Sequence, residues 1–420
     1  MSSTSTDPVD PQNFSLSKHL PFQRFWCTRI LSSLSFQMLA VAMGWHVYAI
    51  THSAFALGLV GLAQFLPIFL LTLVVGHVAD RYDRRRIAAV CQSLGSVAAL
   101  LFAIGTFGGW ISAPVIYALA ACVGAARAFE SPSVTSLLPA VVPRGYLPKA
   151  TAWSTSANQT AQIAGPALGG LLFGIGPGAA YLACALSYAA AAASVWSIPL
   201  QMKPASRAPV TLESIFSGIR FIRREPVILG ALSLDLFAVL FGGATALLPI
   251  FARDVLHAGP IGLGLLRSAT AVGALSGTLW LAHFPLRNRP GAAMFGGVLA
   301  FGLATIVFGL SHQFIVSLLA LMVLGASDTI SVVVRLSLVQ LRTPDDMLGR
   351  VSAVNSLFVG TSNQLGEFES GLTAGWWGAQ PAVLVGGVAT IAITLLWMRF
   401  FPELRQARTL EREEALAASA

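Results

Sequence analysis

The sequence predicts an all-α integral membrane protein with twelve transmembrane helices in two pseudo-symmetric six-helix bundles. Its 420 residues are 55% hydrophobic and only 10% charged, with a mean hydropathy of +0.73, a composition that soluble globular domains do not show. Apolar runs recur twelve times, each near the roughly 20 residues that a helix needs to cross a bilayer. The basic residues collect in alternate connections between these runs, and the two halves of the chain repeat each other.

The apolar runs define the predicted helices in chain order. They span residues 22–50, 54–76, 87–107, 111–138, 150–173, 178–200, 226–252, 259–283, 291–311, 313–341, 348–374 and 379–401. If residue 1 is cytoplasmic, 21 of the 26 Lys and Arg residues fall in cytoplasmic segments, as the positive-inside rule requires. We therefore expect a multi-pass membrane protein with both termini in the cytoplasm. The net charge of +8 is then a topology signal, and nucleic-acid binding, which needs a basic face on a soluble module, is not indicated.

The distribution of polar residues divides the chain into five parts. We expect a disordered cytoplasmic tail at 1–18, a six-helix bundle at 19–200, a cytoplasmic linker at 201–225, a second bundle at 226–402 and a cytoplasmic tail at 403–420. The first part lacks the basic start and short apolar core of a signal peptide. The four Cys residues lie singly within apolar runs, so neither disulfides nor a metal site are indicated.

An internal repeat supports the division into two bundles. A shift of 201 residues superposes Gly58 on Gly259, Gly61 on Gly262, Gly76 on Gly277, Gly95 on Gly296, Gly124 on Gly325, Pro143 on Pro344, Ala152 on Ala353 and Gly165 on Gly366. Many membrane transporters consist of two related six-helix halves. Their substrate site lies between the halves, near the midplane of the bilayer.

The same shift superposes Arg127 of the fourth predicted helix on Asp328 of the tenth. If both helices line a central cavity, these two charges face each other across it. Charged side chains at membrane depth usually face a bundle interior, where they pair or handle substrate and protons. Arg335 follows Asp328 by seven residues, or about two turns, so a local pair through water is an alternative. A further alternative is that these charges only stabilise helix packing.

Four carboxylates at membrane depth are candidates for proton coupling. Asp235 lies near the middle of the seventh helix, without a basic residue close to it in sequence. Because desolvation disfavours the charged form of a carboxylate, such a site suits reversible protonation, and Asp328 is the second candidate. Glu367 and Glu369 of the eleventh helix lie two residues apart and so point to different sides. Arg267 of the eighth helix lies at a depth at which it could neutralise one of them.

A charged loop separates the second and third helices. Residues 76–86 read Gly-His-Val-Ala-Asp-Arg-Tyr-Asp-Arg-Arg-Arg, and their spacing resembles the corresponding loop of the major facilitator superfamily of secondary transporters. We expect this loop to act as a conformational latch, in which Asp80 accepts hydrogen bonds from nearby Arg residues or from the start of the eleventh helix and holds the outward-facing state. Its members here are Gly76, Asp80, Arg81, Arg84 and Arg85, with Glu130 of the fourth helix as an acidic partner. Asp83 stands where a Gly is commoner in the superfamily, and a simple stop-transfer cluster is the alternative.

The fifth helix carries a second motif, Gly165-Pro166-Ala167-Leu168-Gly169-Gly170. Its glycines permit close helix packing, and its proline removes a backbone hydrogen bond. In the superfamily this pattern is associated with drug/proton antiporters, which are exporters. Further segments resemble the bacterial subfamily typified by enterobactin exporters, and the resemblance covers residues 18–402. These segments are residues 44–48, 57–62, 246–249, 350–355 and 362–371.

The resemblance implies a monomeric, proton-coupled exporter in the bacterial inner membrane. Its substrate would be a small molecule such as a catecholate siderophore, a drug or an amphipathic metabolite, moved by alternating access without a cofactor. Trp45 and Tyr48 of the first helix would stack on this substrate or, equally, belong to an aromatic belt at the membrane surface. A symporter that imports a metabolite and a non-transporting membrane sensor remain alternatives. The sequence contains no Gly-x-x-x-x-Gly-Lys-Ser/Thr loop for an ATP-driven pump, and its scattered His residues do not indicate an enzyme.

Overall fold

The computed structural model describes residues 15–199, 212–284 and 289–406, except for the side chains of residues 72–73, 76–77, 79–80 and 212–215. Within these ranges the secondary structure is helical and contains no strand. The helices of the first half are α1 Leu20–Thr51, α2 Ala54–Arg81, α3 Arg84–Phe107, α4 Ala113–Val141, α5 Leu147–Ile175 and α6 Pro177–Trp196. Those of the second half are α7 Leu212–Arg224, α8 Pro226–Phe241, α9 Leu248–Ile250, α10 Gly259–His283, α11 Pro290–Leu310, α12 Phe314–Arg342, α13 Asp345–Trp377, α14 Ala379–Phe400 and α15 Pro402–Gln406.

Each predicted transmembrane segment corresponds to a helix or, for the seventh, to the broken span Pro226–Val255. In the described part of the chain, nine spans are long and apolar enough to cross a membrane by length and composition. The other three long helices are α5, α10 and α13, which pack between the two halves. Their glycines and polar residues contact protein there instead of lipid, so a lower hydropathy is tolerated.

The repeat detected in the sequence is a repeat in structure. A Cβ built on Gly165 of α5 would lie 2.6 Å from Cβ of Gln37 in α1, and one on Gly366 of α13 would lie 2.7 Å from the carbonyl oxygen of Val239 in α8. Gly165 and Gly366 are related by the 201-residue shift, and they permit the same helix crossing in each half. The prediction of two pseudo-symmetric bundles is confirmed.

Among the described residues, the hydrophobic contacts between the two halves lie towards one end of the molecule. We call the face where α1 begins and α14 ends the terminal face, and the other the opposite face. Near the opposite face, one hydrophobic cluster contains residues of both halves, including Met43 and Phe251. Towards the terminal face the clusters separate: one contains only residues between 16 and 198, and two contain only residues between 222 and 404. The halves are therefore packed together at the opposite face and apart at the terminal face.

The seventh span is broken after α8. Gly242 and Gly243 end the helix, and a 3-10 turn, α9 and a π-helical turn carry the chain on to Val255. A Cβ on Gly243 would lie 2.5 Å from Oγ of Ser370 and 2.7 Å from the carbonyl oxygen of Gly366. The break therefore lets α13 approach closely, a feature that the continuous apolar run did not predict.

The predicted linker and tails differ in part from expectation. Residues 200–211 lie outside the described residues, but 212–224 form the helix α7, whose Gly218 packs against the backbone of Arg350 in α13. Within the predicted tail, Leu16–Lys18 form a 3-10 turn in which Leu16 is buried. Residues 1–14 and 407–420 lie outside the described residues.

Candidate functional site

A central cavity lies between the two halves at the level where they begin to separate. Its empty volume is about 690 Å³, including the space at its open side. Its walls come from α1, α2, α10, α13 and the irregular part of the seventh span. The lining residues are Phe36, Ala40, Gly44, Leu57, Val60, Gly61, Gln64, Thr245, Ala246, Pro249, Arg267, Gln364 and Glu367. A small molecule can therefore contact both halves at once.

The charged groups in the wall of this cavity are Arg267 and Glu367, which interact electrostatically. The sequence left open whether Arg267 offsets the charge of Glu367 or of Glu369, and in the structure its partner is Glu367. Glu369 is partly exposed and is not part of the cavity wall. Gln364 adds a buried side-chain oxygen without a hydrogen-bond partner among the described residues, so this wall of the cavity is polar.

Tyr48 joins the two halves between the cavity and the opposite face. Its hydroxyl donates a hydrogen bond to the carboxylate of Asp254, and Arg253 lies 5.7 Å from the centre of its ring. Tyr48 belongs to the first half and both partners to the second, so this contact joins the halves. Trp45 is half-buried and packs against the hydrophobic cluster shared by both halves. Neither aromatic residue belongs to the cavity wall in this conformation.

The terminal face is open between the halves. Ser352, Ser356 and Asn363 are exposed and follow one another along α13 at helical spacing, and Ser156 and Thr160 are exposed on α5. Polar side chains at membrane depth are tolerated where they line a water-filled space. These two stripes therefore indicate an aqueous path from the terminal face to the cavity.

The second half contains a buried charge cluster. The guanidinium of Arg335 in α12 forms an ion pair with the carboxylate of Asp235 in α8, and both residues are less than 5% exposed. Asp235 therefore has a cation beside it in the structure, although no basic residue is close to it in sequence. The two residues are 100 positions apart, and only the packing of α8 against α12 brings them together.

Asp328 belongs to the same cluster. It lines a small cavity of about 230 Å³ with Asp235, Ser327 and Ser331, and interacts electrostatically with Asp235 and Arg335. The cluster thus holds two carboxylates and one guanidinium within the second half. Asp328 therefore has charged neighbours within its own half, and its position opposite Arg127 stays a prediction.

The first half contains a corresponding cluster around Glu130. This buried carboxylate accepts hydrogen bonds from Nε2 of Gln92 and from Arg127, each at 3.1 Å. The guanidinium of Arg127 also lies 4.7 Å from the ring centre of Phe36, which lines the central cavity. Arg127 is therefore next to the cavity wall, and Glu130 is its partner.

The loop after α2 is attached to its own half. Asp83 accepts a hydrogen bond from the backbone N–H of Arg85 at 2.9 Å, which caps the start of α3. The guanidinium of Arg85 donates to the carbonyl of Ile198 at 2.6 Å. Arg84 is buried and Arg81 is exposed. The side chain of Asp80 and the packing of Gly76 lie outside what the structure describes, so the latch stays a prediction.

The motif of the fifth helix lies where α5 crosses two other helices. A Cβ on Gly169 would lie 2.8 Å from Cα of Met38 in α1, and one on Gly170 would lie 3.0 Å from Cα of Gly264 in α10. Gly264 in turn lies close to the carbonyl of Pro166. The motif therefore joins the two halves near the opposite face.

Two pseudo-symmetric bundles around a cavity that opens at one face define a secondary transporter of the major facilitator type. The profile of a family described as "Transmembrane secretion effector" matches residues 13–417. The chain belongs to this family, whose members are transporters and not enzymes.

Curated relatives agree with this family. The chain is 28% identical over 405 residues to the enterobactin exporter EntS of Citrobacter koseri, with 94% of this chain and 95% of the relative covered. It is 27% identical to the enterobactin exporter EntS of Escherichia coli O1:K1 over the same shares.

Solved structures agree with the fold. A bacterial homolog of the human lysosomal transporter Spinster, in an inward-facing and unoccupied conformation, has a TM-score of 0.74 at 14% identity, with 92% of this chain and 98% of that chain covered. A bacterial homologue of the iron transporter ferroportin, in an inward-facing state, has a TM-score of 0.68 at 16% identity, with 90% and 98% covered. At these identities the likeness concerns the fold alone.

Proposed function

We propose that this protein is a proton-coupled exporter that moves a small, siderophore-like molecule across the bacterial inner membrane by alternating access. The observation that carries the proposal is the central cavity, which is closed at the opposite face by Tyr48 and Asp254 and open towards the terminal face. A cavity with access from one side at a time is what alternating access requires.

The positive-inside distribution supports a cytoplasmic terminal face, with both termini inside. The conformation is then inward-open, the state in which an exporter loads its substrate. An importer also passes through this state, so the direction of transport rests on two other observations. These are the Gly-Pro-x-x-Gly-Gly motif of α5 and the similarity to enterobactin exporters over almost the whole chain.

Proton coupling is supported by the charge cluster of the second half. Asp235 and Asp328 share the single guanidinium of Arg335, and a buried charge without a partner is costly. A proton on one carboxylate removes that cost while Arg335 stays with the other. We propose that Asp235 carries the coupling proton, because its deprotonation restores the ion pair with Arg335. Asp328 then acts in gating, and Glu367 with Arg267 responds to substrate in the cavity.

The proposed partners are the substrate, protons and the lipid bilayer, and the proposed functional unit is a monomer. Direction is tested with radiolabelled enterobactin in membrane vesicles that contain the protein. Energised everted vesicles should accumulate the compound, whereas right-side-out vesicles should not. Accumulation only by right-side-out vesicles would establish import instead.

A further inference from the structure

The first half contains more positive than negative charge beside the substrate path. Arg29 of α1 interacts electrostatically with Arg127 and with Glu130. Glu130 already accepts hydrogen bonds from Arg127 and Gln92. Two guanidinium groups therefore share one carboxylate whose hydrogen-bonding capacity is partly used, and the cluster has an excess charge of one cation.

Arg29 lies on the side of α1 that faces the cavity. Phe36, Ala40 and Gly44 line the cavity at helical spacing, and Ser33 and Arg29 continue the same stripe. Arg29 is seven residues before Phe36, which places its Cα about 10 Å nearer the terminal face. Helical side chains lean towards the helix N-terminus, so Arg29 extends along the path by which a molecule would enter.

The surroundings of Arg29 are polar but leave its guanidinium incompletely bonded. Its Nε atom is buried without a hydrogen-bond partner among the described residues. One turn further along α1, the hydroxyl of Ser33 donates to the side-chain carbonyl of Asn158 in α5 at 3.2 Å. A buried guanidinium is costly unless its donors and its charge are satisfied. An anionic ligand would satisfy both, since a carboxylate can accept two parallel hydrogen bonds from Arg.

We propose that Arg29 and Arg127 form a subsite for an anionic group of the substrate, with Phe36 contacting the aromatic body to which that group is attached. This inference deepens the proposed function, on which it rests, by narrowing the substrate class to small aromatic molecules that carry an anionic group. The ring of Phe36 contacts the guanidinium of Arg127 and also lines the cavity. Because Arg29 lies nearer the terminal face than Phe36, the charged end of the ligand binds on the terminal side and its ring enters the cavity.

The test compares two ligands that differ in charge and little else, 2,3-dihydroxybenzoate and 2,3-dihydroxybenzamide. Their binding to the purified full-length protein in lipid nanodiscs is measured by titration calorimetry. We expect the wild type to bind the acid about tenfold more tightly than the amide, and this preference to fall with added salt because screening weakens charge interactions. Equal affinities, or binding of neither compound, would overturn the proposal.

Three variants identify the residues responsible. Arg29→Gln should abolish the preference for the acid, and Arg29→Lys should retain part of it. Glu130→Gln should strengthen acid binding, because it removes the competing carboxylate, an effect that a purely structural role of this cluster would not produce. The control Arg399→Gln removes the same charge from an exposed position at the end of α14 and should change nothing.

The outcomes separate this inference from the proposed function. Loss of the acid preference in Arg29→Gln, together with its gain in Glu130→Gln, would support the subsite even if enterobactin is not exported. An unchanged preference in a folded Arg29→Gln protein would overturn the subsite, whatever the vesicle experiment shows. If Arg29→Gln does not fold, the other two variants decide. The subsite would then be overturned if Arg29→Lys keeps the full wild-type preference for the acid and Glu130→Gln has no effect on acid binding.

Discussion

Arg335 of α12 forms an ion pair with Asp235 of α8 inside the second half, and both side chains are almost completely buried. Asp328 lies beside the pair and interacts with both members. If one carboxylate binds a proton, Arg335 can neutralise the other, and none of the three groups has to be exposed to lipid.

Asp235→Asn should remove the carboxylate that forms the ion pair with Arg335 and leave Asp328 as its other acidic neighbour in the cluster. We expect protonophore-sensitive export to be lost while substrate binding persists, because the central cavity is not lined by Asp235. Loss of one member of a buried pair typically costs about 3 to 5 kcal/mol, so the melting temperature in detergent should fall. The double variant Asp235→Asn/Arg335→Gln should recover stability but not coupling. Export at the parent rate by Asp235→Asn would contradict the assignment and make Glu367 or Glu369 the next carboxylate to test.

Tyr48→Phe should favour opening of the opposite face, since it removes the hydrogen bond between the halves at Asp254. A hydrogen bond to a charged group contributes about 1.5 to 3 kcal/mol, so the open population should increase about tenfold or more. The readout is labelling of Gly44→Cys by a membrane-impermeant thiol reagent in intact cells, in a background without the two exposed cysteines. Asp254→Asn should have a similar effect, and unchanged labelling in both variants would show that this contact does not hold the closed face.

Gly170→Ala should impair transport without preventing membrane insertion. The added Cβ would overlap the carbonyl oxygen of Pro260 and crowd Cα of Gly264. This overlap would push α5 and α10 apart near the opposite face. The matched control is Gly296→Ala, where a Cβ meets no atom within 4 Å. Export is measured in vesicles, normalised to the amount of protein in the membrane. Equal activity of the two variants would show that the close crossing is dispensable.

Asp80→Asn should slow the transport cycle while leaving expression unchanged. The resemblance of its loop to the superfamily implies that Asp80 contacts the start of α13 when the terminal face is closed, where the positive end of the helix dipole favours a negative charge. Glu403→Gln, which changes an exposed carboxylate near the terminal face, is the control. Normal export by a well-expressed Asp80→Asn protein would eliminate the latch.

The sequence was sufficient to predict the helices and their repeat. Apolar runs set the spans within a few residues, because the bilayer requires a minimum length of apolar helix. The glycines at the 201-residue shift predicted equivalent crossings, and Gly165 and Gly366 confirm this. The amphipathic helix α7 was missed because it contains no long apolar run, and the break after Phe241 was hidden within one.

The charge clusters were harder to predict. The repeat relates equivalent positions in the two halves, such as Arg127 and Asp328, but does not show which helices touch within a half. Asp235 and Arg335 meet because α8 packs on α12. The only indication of this contact in the sequence is that the two residues lie at a similar depth in the membrane. Similar depth did suggest Arg267 as a partner, and the structure places it with Glu367.

The most direct test of the account uses purified protein in proteoliposomes with an imposed pH gradient. With an acidic interior and no ATP, radiolabelled enterobactin added outside should accumulate inside as protons leave, and a protonophore should abolish this accumulation. Proteoliposomes containing Asp235→Asn should equilibrate at most, without accumulation. Two results would contradict proton-coupled export through this cluster. One is accumulation that does not depend on the pH gradient, and the other is accumulation by Asp235→Asn at the wild-type rate.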